Sequence, residues 1–295
     1  MLLKVRTKNH TGAPLRKAVQ TGKKRVVYRL GSVTPTSEIF PGVDPSTVYE
    51  INTAQSCKNS GNKIVMKGAF LMGDVKTAEL FRIVPSKKNK ADVNAVESSA
   101  VTLFTADEGA VRQVSNETIA LDAMPYPIIA KHKHSSKGNG IYLLNNGDET
   151  WAFIHEHYAS LGEHIFEKFY NFSKEHRLHV TKDGCFYTCR KMLKSDAKDR
   201  WHRHDSNSVW MVEENPLFEK PSNWAAIEAE CVKALHAVGL TIGACDVKVQ
   251  TEKGKNARNG NPDFIVMEIN SGPAMGEITI VKYEEILNKI VSELQ

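Results

Sequence analysis

Hydrophobic and polar positions alternate most regularly in two late segments of the chain. In residues 240–250, Cys245, Val247 and Val249 form an apolar row and Asp246 stands on the opposite row. In residues 262–270, Ile265, Met267 and Ile269 form one row while Glu268 and Asn270 share the other. A period of two predicts strands whose successive side chains point to opposite faces. Shorter strands are predicted over 24–30, 47–52, 100–104, 111–114, 127–131, 141–144, 165–169, 177–181 and 185–193. The last two flank Lys182-Asp183-Gly184, a strong hairpin signal. Trp224, Ile227, Cys231, Leu235 and Val238 recur at helical spacing, which predicts a helix with Ser222 as its N-cap and Gly239 at its end. Helices are also expected over 59–71, 150–161 and 282–294. Hairpins mixed with helices point to α+β and α/β units rather than a purely parallel sheet.

Composition narrows the class without naming a function. A chain of 295 residues can bury a sizeable core and is long enough for two or three small domains. Hydrophobic content of 41% and charged content of 25% are those of an ordinary globular protein. No run approaches the roughly 18 apolar residues of a membrane span. The first residues, Met1-Leu2-Leu3-Lys4-Val5-Arg6, lack the apolar core of a signal peptide. Cys57, Cys185, Cys189, Cys231 and Cys245 form no CxxC pair, which fits reduced thiols and a cytoplasmic location. The net charge of +5 suits an enzyme for anionic ligands at least as well as a nucleic-acid binder. Lys87-Lys88-Asn89-Lys90 reads as a solvated basic loop.

Candidate chemistry begins with the two alternating segments. If they are neighbouring strands, Asp246, Glu268 and Asn270 converge, and hard oxygen donors of this kind suit Mg²⁺ beside phosphate. The bland reading is that each acid merely faces solvent. Lys131 ends a strand and precedes a Gly/Ser/Lys loop, residues 133–140, containing Ser135, Ser136, Gly138 and Gly140. Such a loop can fold backbone N–H groups over phosphate oxygens. It is neither a Walker loop nor a dinucleotide fingerprint. Glu167-Lys168-Phe169 is a candidate edge for an adenine, and Glu175 a candidate partner for ribose hydroxyls.

The order of these segments is specific where each alone is degenerate. Asn62-Lys63-x-x-x-Lys67 comes first, followed by Pro127-Ile128-Ile129-Ala130-Lys131 and the loop ending at Gly140. Phe166-Glu167-Lys168-Phe169, Glu175-His176-Arg177 and Arg190-Lys191 come next. Gly243-Ala244-Cys245-Asp246 and Glu268-Ile269-Asn270-Ser271-Gly272-Pro273 complete the series. Over roughly residues 45–280 the chain resembles the ATP-grasp superfamily of carboxylate–amine ligases, close in style to D-alanine–D-alanine ligases and ribosomal-protein glutamate ligases.

The resemblance implies an ATP-grasp fold. Residues 1–82 would be a small N-terminal α/β domain, 83–168 a first α+β subdomain with the glycine loop, and 169–295 a second with the metal site. The two subdomains would clasp ATP. It implies an ADP-forming ligase that joins a carboxylate to an amine or thiol through an acyl phosphate, with ATP and Mg²⁺ (or Mn²⁺) as cofactors. By position, Lys63 and Lys131 would contact phosphates and the Ser135, Ser136, Gly138, Gly140 loop would close over them. Glu167, Lys168 and Phe169 would line the adenine, Glu175 would hold ribose, and Asp246, Glu268 and Asn270 would bind the metal. Arg177, Arg190 and Asn270 are the implied catalytic groups, and Asn207 matches an asparagine near the phosphates.

Two features depart from the family pattern. The loop carries Lys133, His134 and Lys137 where glycine is usual, and residues 193–221 are idiosyncratic. There His202 and His204 with two tryptophans and two arginines suggest a recognition surface for an anionic or aromatic group, though a solvated loop is equally in keeping. Spacing gives no third soft ligand for zinc. Expected partners are small-molecule or peptide carboxylates and amines. A membrane partner is not expected, a nucleic-acid partner is not favoured, and the oligomeric state is open. The competing functions are a non-catalytic ATP-binding module and a nucleic-acid-directed protein stacking bases on Trp201 and Trp210.

Overall fold

Three sheets organise the chain in the computed structural model, which describes residues 4–5, 12–21, 24–84, 100–107, 110–113, 121–135, 138–251 and 262–294. The first sheet, in the order β1-β2-β3, comprises β1 (Leu15–Thr21), β2 (Lys24–Leu30) and β3 (Val48–Ile51), with β2 and β3 parallel. The short helix α1 (Thr36–Ile39) lies in the β2–β3 connection. Two helices follow, α2 (Ala54–Gly61) and α3 (Lys63–Met72), where the sequence pattern suggested one. Asn62 divides them, because its side-chain oxygen accepts from Ile64 N at 3.0 Å and caps the second helix.

The second sheet is antiparallel and comprises β4 (Leu80–Val84), β5 (Ala100–Asp107), β6 (Ala110–Gln113), β7 (Ile128–His132), β8 (Ile141–Leu144) and β9 (His164–Lys168), in the order β6-β5-β4-β9-β7-β8. Helix α4 (Gly147–Glu156), capped by Asn146, covers it through Phe153 and Ile154 and gives way to a 3₁₀ turn over Tyr158–Glu163. The basic run at residues 87–90 lies outside the described residues.

The third sheet holds most of the polar rows found in the sequence. It comprises β10 (Lys174–Thr181), β11 (Gly184–Leu193), β12 (Ser208–Val212), β13 (Ile242–Val249) and β14 (Phe264–Asn270), in the order β12-β11-β10-β13-β14, every pair antiparallel. On one face, α5 (Trp224–Ala237) buries Ile227, Cys231, Ala234 and Leu235 against Leu178, Val180, Cys245, Val247 and Val249. Each such fully buried aliphatic side chain contributes about 1.5–3 kcal/mol, which fixes this face as the core. The helix begins one residue later than its pattern suggested. Asn223 takes the N-cap position but donates to Pro262 O at 2.6 Å, and Gly239 ends the helix with φ +76°.

Helix α6 (Glu277–Ser292) starts five residues earlier than expected. It packs Ile280, Tyr283 and Leu287 onto the first sheet and onto the far end of β10, where His179 Nδ1 lies 3.1 Å from Tyr283 Oη. Asn52, in the left-handed region at φ +59°, joins these parts. Its amide donates to Arg29 O and Ile242 O, and its oxygen accepts from Thr241 N and Ile242 N. All five cysteines are free thiols. Among the described residues no helix is long and apolar enough to cross a membrane.

Two register shifts alter which residues share a face. Between Asp246 and Val247 the pairing steps from Glu268 to Val266, leaving Met267 bulged. Core positions on β14 are therefore Phe264, Val266 and Ile269, not the Ile265, Met267, Ile269 row that strict alternation predicts. Between His179 and Val180 the pairing skips Phe186 on β11 in the same way.

Candidate functional site

A cavity of about 380 Å³ lies where the second and third sheets face one another. Its floor is set by strand register. Arg177 on β10 pairs with Asp246 on β13, and Asp246 pairs with Glu268 on β14, so the three side chains stand in one row. Arg177 grips Asp246 bidentately, Nε to Oδ1 at 2.7 Å and Nη2 to Oδ2 at 2.8 Å. Trp210 from β12 lies 4.7 Å from the Arg177 guanidinium and 5.4 Å from the Lys191 ammonium. Burial opposes the Arg177 charge, but contact with Asp246 outweighs it and raises its pKa.

Lys63 and Lys131 come from other elements. Lys63, the first residue of α3, lies 3.1 Å from Glu268 Oε2 and donates to Ser135 O at 2.8 Å. Burial would raise the Glu268 carboxyl, yet Lys63 and Lys131 hold it well below the usual carboxylate range. Lys131 on β7 contacts the buried Glu167 on β9, whose other oxygen lies 3.0 Å from Lys67. Burial works against Glu167 as an anion, and the two lysines overcome it, bringing its pKa down to about 2. Burial likewise lowers Lys67, only partly offset by Glu167, whereas Glu167 leaves Lys131 raised. Lys67 also donates to Thr77 Oγ1 at 2.6 Å, and Thr77 donates to Val266 O at 2.7 Å. The triad thereby ties the second sheet to β14.

Among the described residues, six cations line the cavity, Lys63, Lys131, Arg177, Lys191, Arg203 and Lys248, against four carboxylates, Glu175, Asp205, Asp246 and Glu268. That excess suits a polyanionic ligand. Glu175, pushed up by burial and then by Asp246, lies 3.6 Å from Arg203. Burial lowers Lys248 to about 8. Its ammonium donates to Tyr170 O at 3.3 Å and sits 4.9 Å from the Phe169 ring.

The structure brings together Lys63, Lys131, Ser135, Gly138, Glu175, Arg177, Asp246, Glu268 and Asn270 as cavity walls. Gly140 closes the loop beside them with φ +67°, and its oxygen accepts from His132 N at 3.0 Å. Ser136 and Lys137 lie outside the described residues. Glu167, Lys168 and Phe169 stand behind the wall. Lys168 lies 3.6 Å from Glu79, and the Phe169 ring meets Trp201 at 6.3 Å.

Arg190 is not brought to the cavity. It pairs with His176, whose ring packs edge-on against Phe218 and Trp224 on the opposite face. Had the ladder run unbroken through Phe186, Arg190 would pair with Glu175; because Phe186 is skipped, Lys191 takes that place. Asn207 is also spent elsewhere. It is buried, and its amide donates to Asp199 O and His202 O while its oxygen accepts from His204 N. Lys248 adds to the site's charge without having been singled out from the sequence, and Lys67, Lys191 and Arg203 were read there only as parts of motifs, with no role assigned to each. Lys248 was legible as the residue two beyond Asp246, on the same row.

The donor set fits a divalent cation. Asn270 Nδ2 lies 3.5 Å from Asp246 Oδ2 and 3.3 Å from Glu268 Oε1. A half-turn of that amide puts its oxygen between the two carboxylates. Two carboxylates and an amide oxygen are hard ligands suited to Mg²⁺, and each carboxylate keeps free lone pairs beside its cationic partner.

No protein-family model matches the chain, and no curated protein sequence does. Among solved structures it is similar to the D-alanine–D-alanine ligase of Bacillus anthracis, at 14% identity and a TM-score of 0.50, covering 81% of this chain and 65% of that one. The same ligase complexed with ATP gives 14% identity and a TM-score of 0.50, covering 82% and 64%. Biotin carboxylase from Campylobacter jejuni gives 15% identity and a TM-score of 0.49, covering 83% and 47%. The chain thus spans about 65% of the length of the first ligase. Likeness at these identities is a likeness of fold.

Proposed function

Because the chain has the ATP-grasp fold, we propose that it is an ATP-dependent ligase joining a carboxylate to an amine through an acyl phosphate, releasing ADP and phosphate. One observation carries the reading. The row Arg177, Asp246, Glu268 and Asn270 shares a single cavity with Lys63 and Lys131, which arrive from two other parts of the fold. In this reading residues 1–82, 83–168 and 169–295 are the three domains of the molecule.

The chemistry follows from what a carboxylate lacks. Its oxygen is a poor leaving group until the γ-phosphoryl of ATP is transferred to it; an amine then displaces phosphate. Negative charge gathers on the transferring phosphoryl, and Lys63, Lys131 and Lys191 neutralise it. Arg177 holds Asp246 and offers its remaining guanidinium face to the acyl phosphate. Glu175 takes the ribose. Glu167 acts as a positioning residue, orienting Lys131 from behind the wall. The loop from Ser135 to Gly140 excludes water from the acyl phosphate. Mg²⁺, when held by Asp246, Glu268 and Asn270, supplies neutralisation of the phosphate oxygens. The substrates are small-molecule or peptide carboxylates and amines.

The test is nucleotide release from ATP and Mg²⁺ with pools of amino acids, polyamines and small peptides. The expected outcome is ADP formation that needs both a carboxylate and an amine. It should fall by roughly 100-fold or more in Asp246→Asn and Glu268→Gln. Release of AMP and pyrophosphate would sink the acyl-phosphate mechanism.

A further inference from the structure

The segment from Lys194 to Ser208, between β11 and β12, is built for more than covering the cavity. Asn207, buried at its centre, draws in the carbonyls of Asp199 and His202 at 3.0 Å each and receives His204 N at 2.9 Å. Lys191 and Lys194 bind the carbonyls of Arg203 and Ser206 at 3.0 and 2.8 Å. This scaffold turns three side chains toward one point. One ligand atom from each of Asp199, His202 and His204 lies within 4.8 Å of the other two. Asp199 Oδ2 and His202 Nδ1 are 3.2 Å apart. Two atoms bound to one zinc ion at about 2.0–2.1 Å and a tetrahedral angle lie about 3.3–3.4 Å apart, so the pair already has the separation that zinc needs.

Two further observations concern the imidazoles. His202 Nδ1 is buried and makes no hydrogen bond of good geometry among the described residues, although it lies 3.2 Å from the Asp199 carboxylate. Ser206 Oγ lies 2.7 Å from His204 Nδ1 and fixes the orientation of the second ring. The glycine loop closes over both. A Cβ at Gly138 would come within 2.8 Å of His204 Cβ and 3.2 Å of His202 Nε2, so only glycine fits there.

From this geometry we propose that Asp199, His202 and His204 form a site for a divalent transition metal, zinc foremost, separate from the Asp246–Glu268 pair. Three protein ligands leave a fourth position open, and one of the three, His202, also lines the cavity. The bound ion pins the segment against Gly138 and sets the rim of the cavity. Sequence spacing hides the site because its third ligand is a carboxylate three residues upstream, brought round by the Asn207 scaffold.

The experiment uses the untagged full chain, stripped with a chelator and titrated with Co²⁺, then with Zn²⁺ against a chromophoric chelator. The expected result is one equivalent of Co²⁺ with the intense visible absorption of tetrahedral coordination, displaced by one equivalent of Zn²⁺. The signal should be lost in His202→Ala, His204→Ala and Asp199→Asn, and zinc affinity should drop roughly 10-fold or more in Ser206→Ala, which only frees the His204 ring. It should persist in Asp246→Asn and Glu268→Gln. Melting curves that match the parent certify that each variant is folded, and Ser206→Ala supplies the answer if a ligand variant is not. Absence of tetrahedral absorption would overturn the site. So would titrations unchanged by the ligand variants, or binding lost only in Asp246→Asn.

Discussion

Replacing Glu167 with glutamine keeps the shape of a buried side chain and removes the carboxylate held between Lys67 and Lys131. Glu167 and Lys67 are 3% and 1% exposed, so water cannot compensate. Losing one partner of a buried ion pair costs about 3–5 kcal/mol, since the remaining charges stay desolvated. The depression of the carboxyl by the same two lysines gives a second figure. The Glu167 carboxyl falls from 4.5 to about 2 on folding, a drop of about 2.5 pH units, worth about 3 kcal/mol. At a urea m-value of about 3 kcal/mol per M, the unfolding midpoint of Glu167→Gln should fall by about 1–2 M at pH 7. The sign with pH follows from the depressed value. The stabilisation is complete above pH 4.5 and disappears as pH falls toward 2, so the gap between parent and variant should close over that window. Adding Lys67→Met to the variant should recover part of the loss by removing one of the two stranded ammonium groups. Urea unfolding followed by circular dichroism at pH 7 and at pH 3 makes the measurement. A midpoint within about 0.3 M of the parent at pH 7, or a gap unchanged at pH 3, would refute the triad as a stabilising element.

Three further outcomes rest on particular atoms. Lys248, lowered by burial to about 8, loses its charge as pH rises through that value, so affinity for ADP measured by calorimetry should weaken about 10-fold from pH 7 to pH 9; Lys248→Arg should flatten the profile, and equal profiles would remove Lys248 from the binding wall. Over the same change global stability should rise, because between about 8 and 10.5 the unfolded chain holds a proton that the folded one has released. A Cβ at Gly272 would lie 2.7 Å from Gly31 N and 2.7 Å from Leu30 C, both backbone. Gly272→Ala should therefore cost about 1–3 kcal/mol in thermal unfolding, and an unchanged melting curve would mean that these segments separate easily.

What was legible in the sequence was local periodicity. Asp246 stood out because Cys245, Val247 and Val249 form an apolar row that the structure buries under α5. Lys131 and Gly138 stood out as a strand end and a glycine turn, and both line the cavity. What stayed hidden depends on long-range pairing or on a change of parity. Nothing near Glu167 in the chain announces Lys67, which reaches it across a hundred residues. Asp199 and His202 become neighbours through Asn207, whose hydrogen bonds have no sequence signature. The resemblance pointed to Arg190, but the skipped Phe186 puts Lys191 rather than Arg190 opposite Glu175, a shift of parity with no signal in the local pattern.

The two skipped residues work like frameshifts in a code read two letters at a time. Every side chain of β11 beyond Phe186 is assigned to cavity or core by that one extra residue, and Met267 does the same for β14 ahead of Glu268. Deleting Phe186 would close the bulge and leave Cys185 opposite Val180 and Tyr187 opposite His179, so both rows would keep their faces; a ladder that ran unbroken through Phe186 would exchange them, turning Arg190 and Thr188 toward the cavity and Lys191 and Cys189 toward α5. A conservative point substitution in either strand leaves this assignment intact, as does loss of the skipped residue itself, whereas pairing that absorbed Phe186 into the ladder would rewrite it. The cavity's charge is thus encoded twice, in the identity of the residues and in the place where the ladder leaves one residue out.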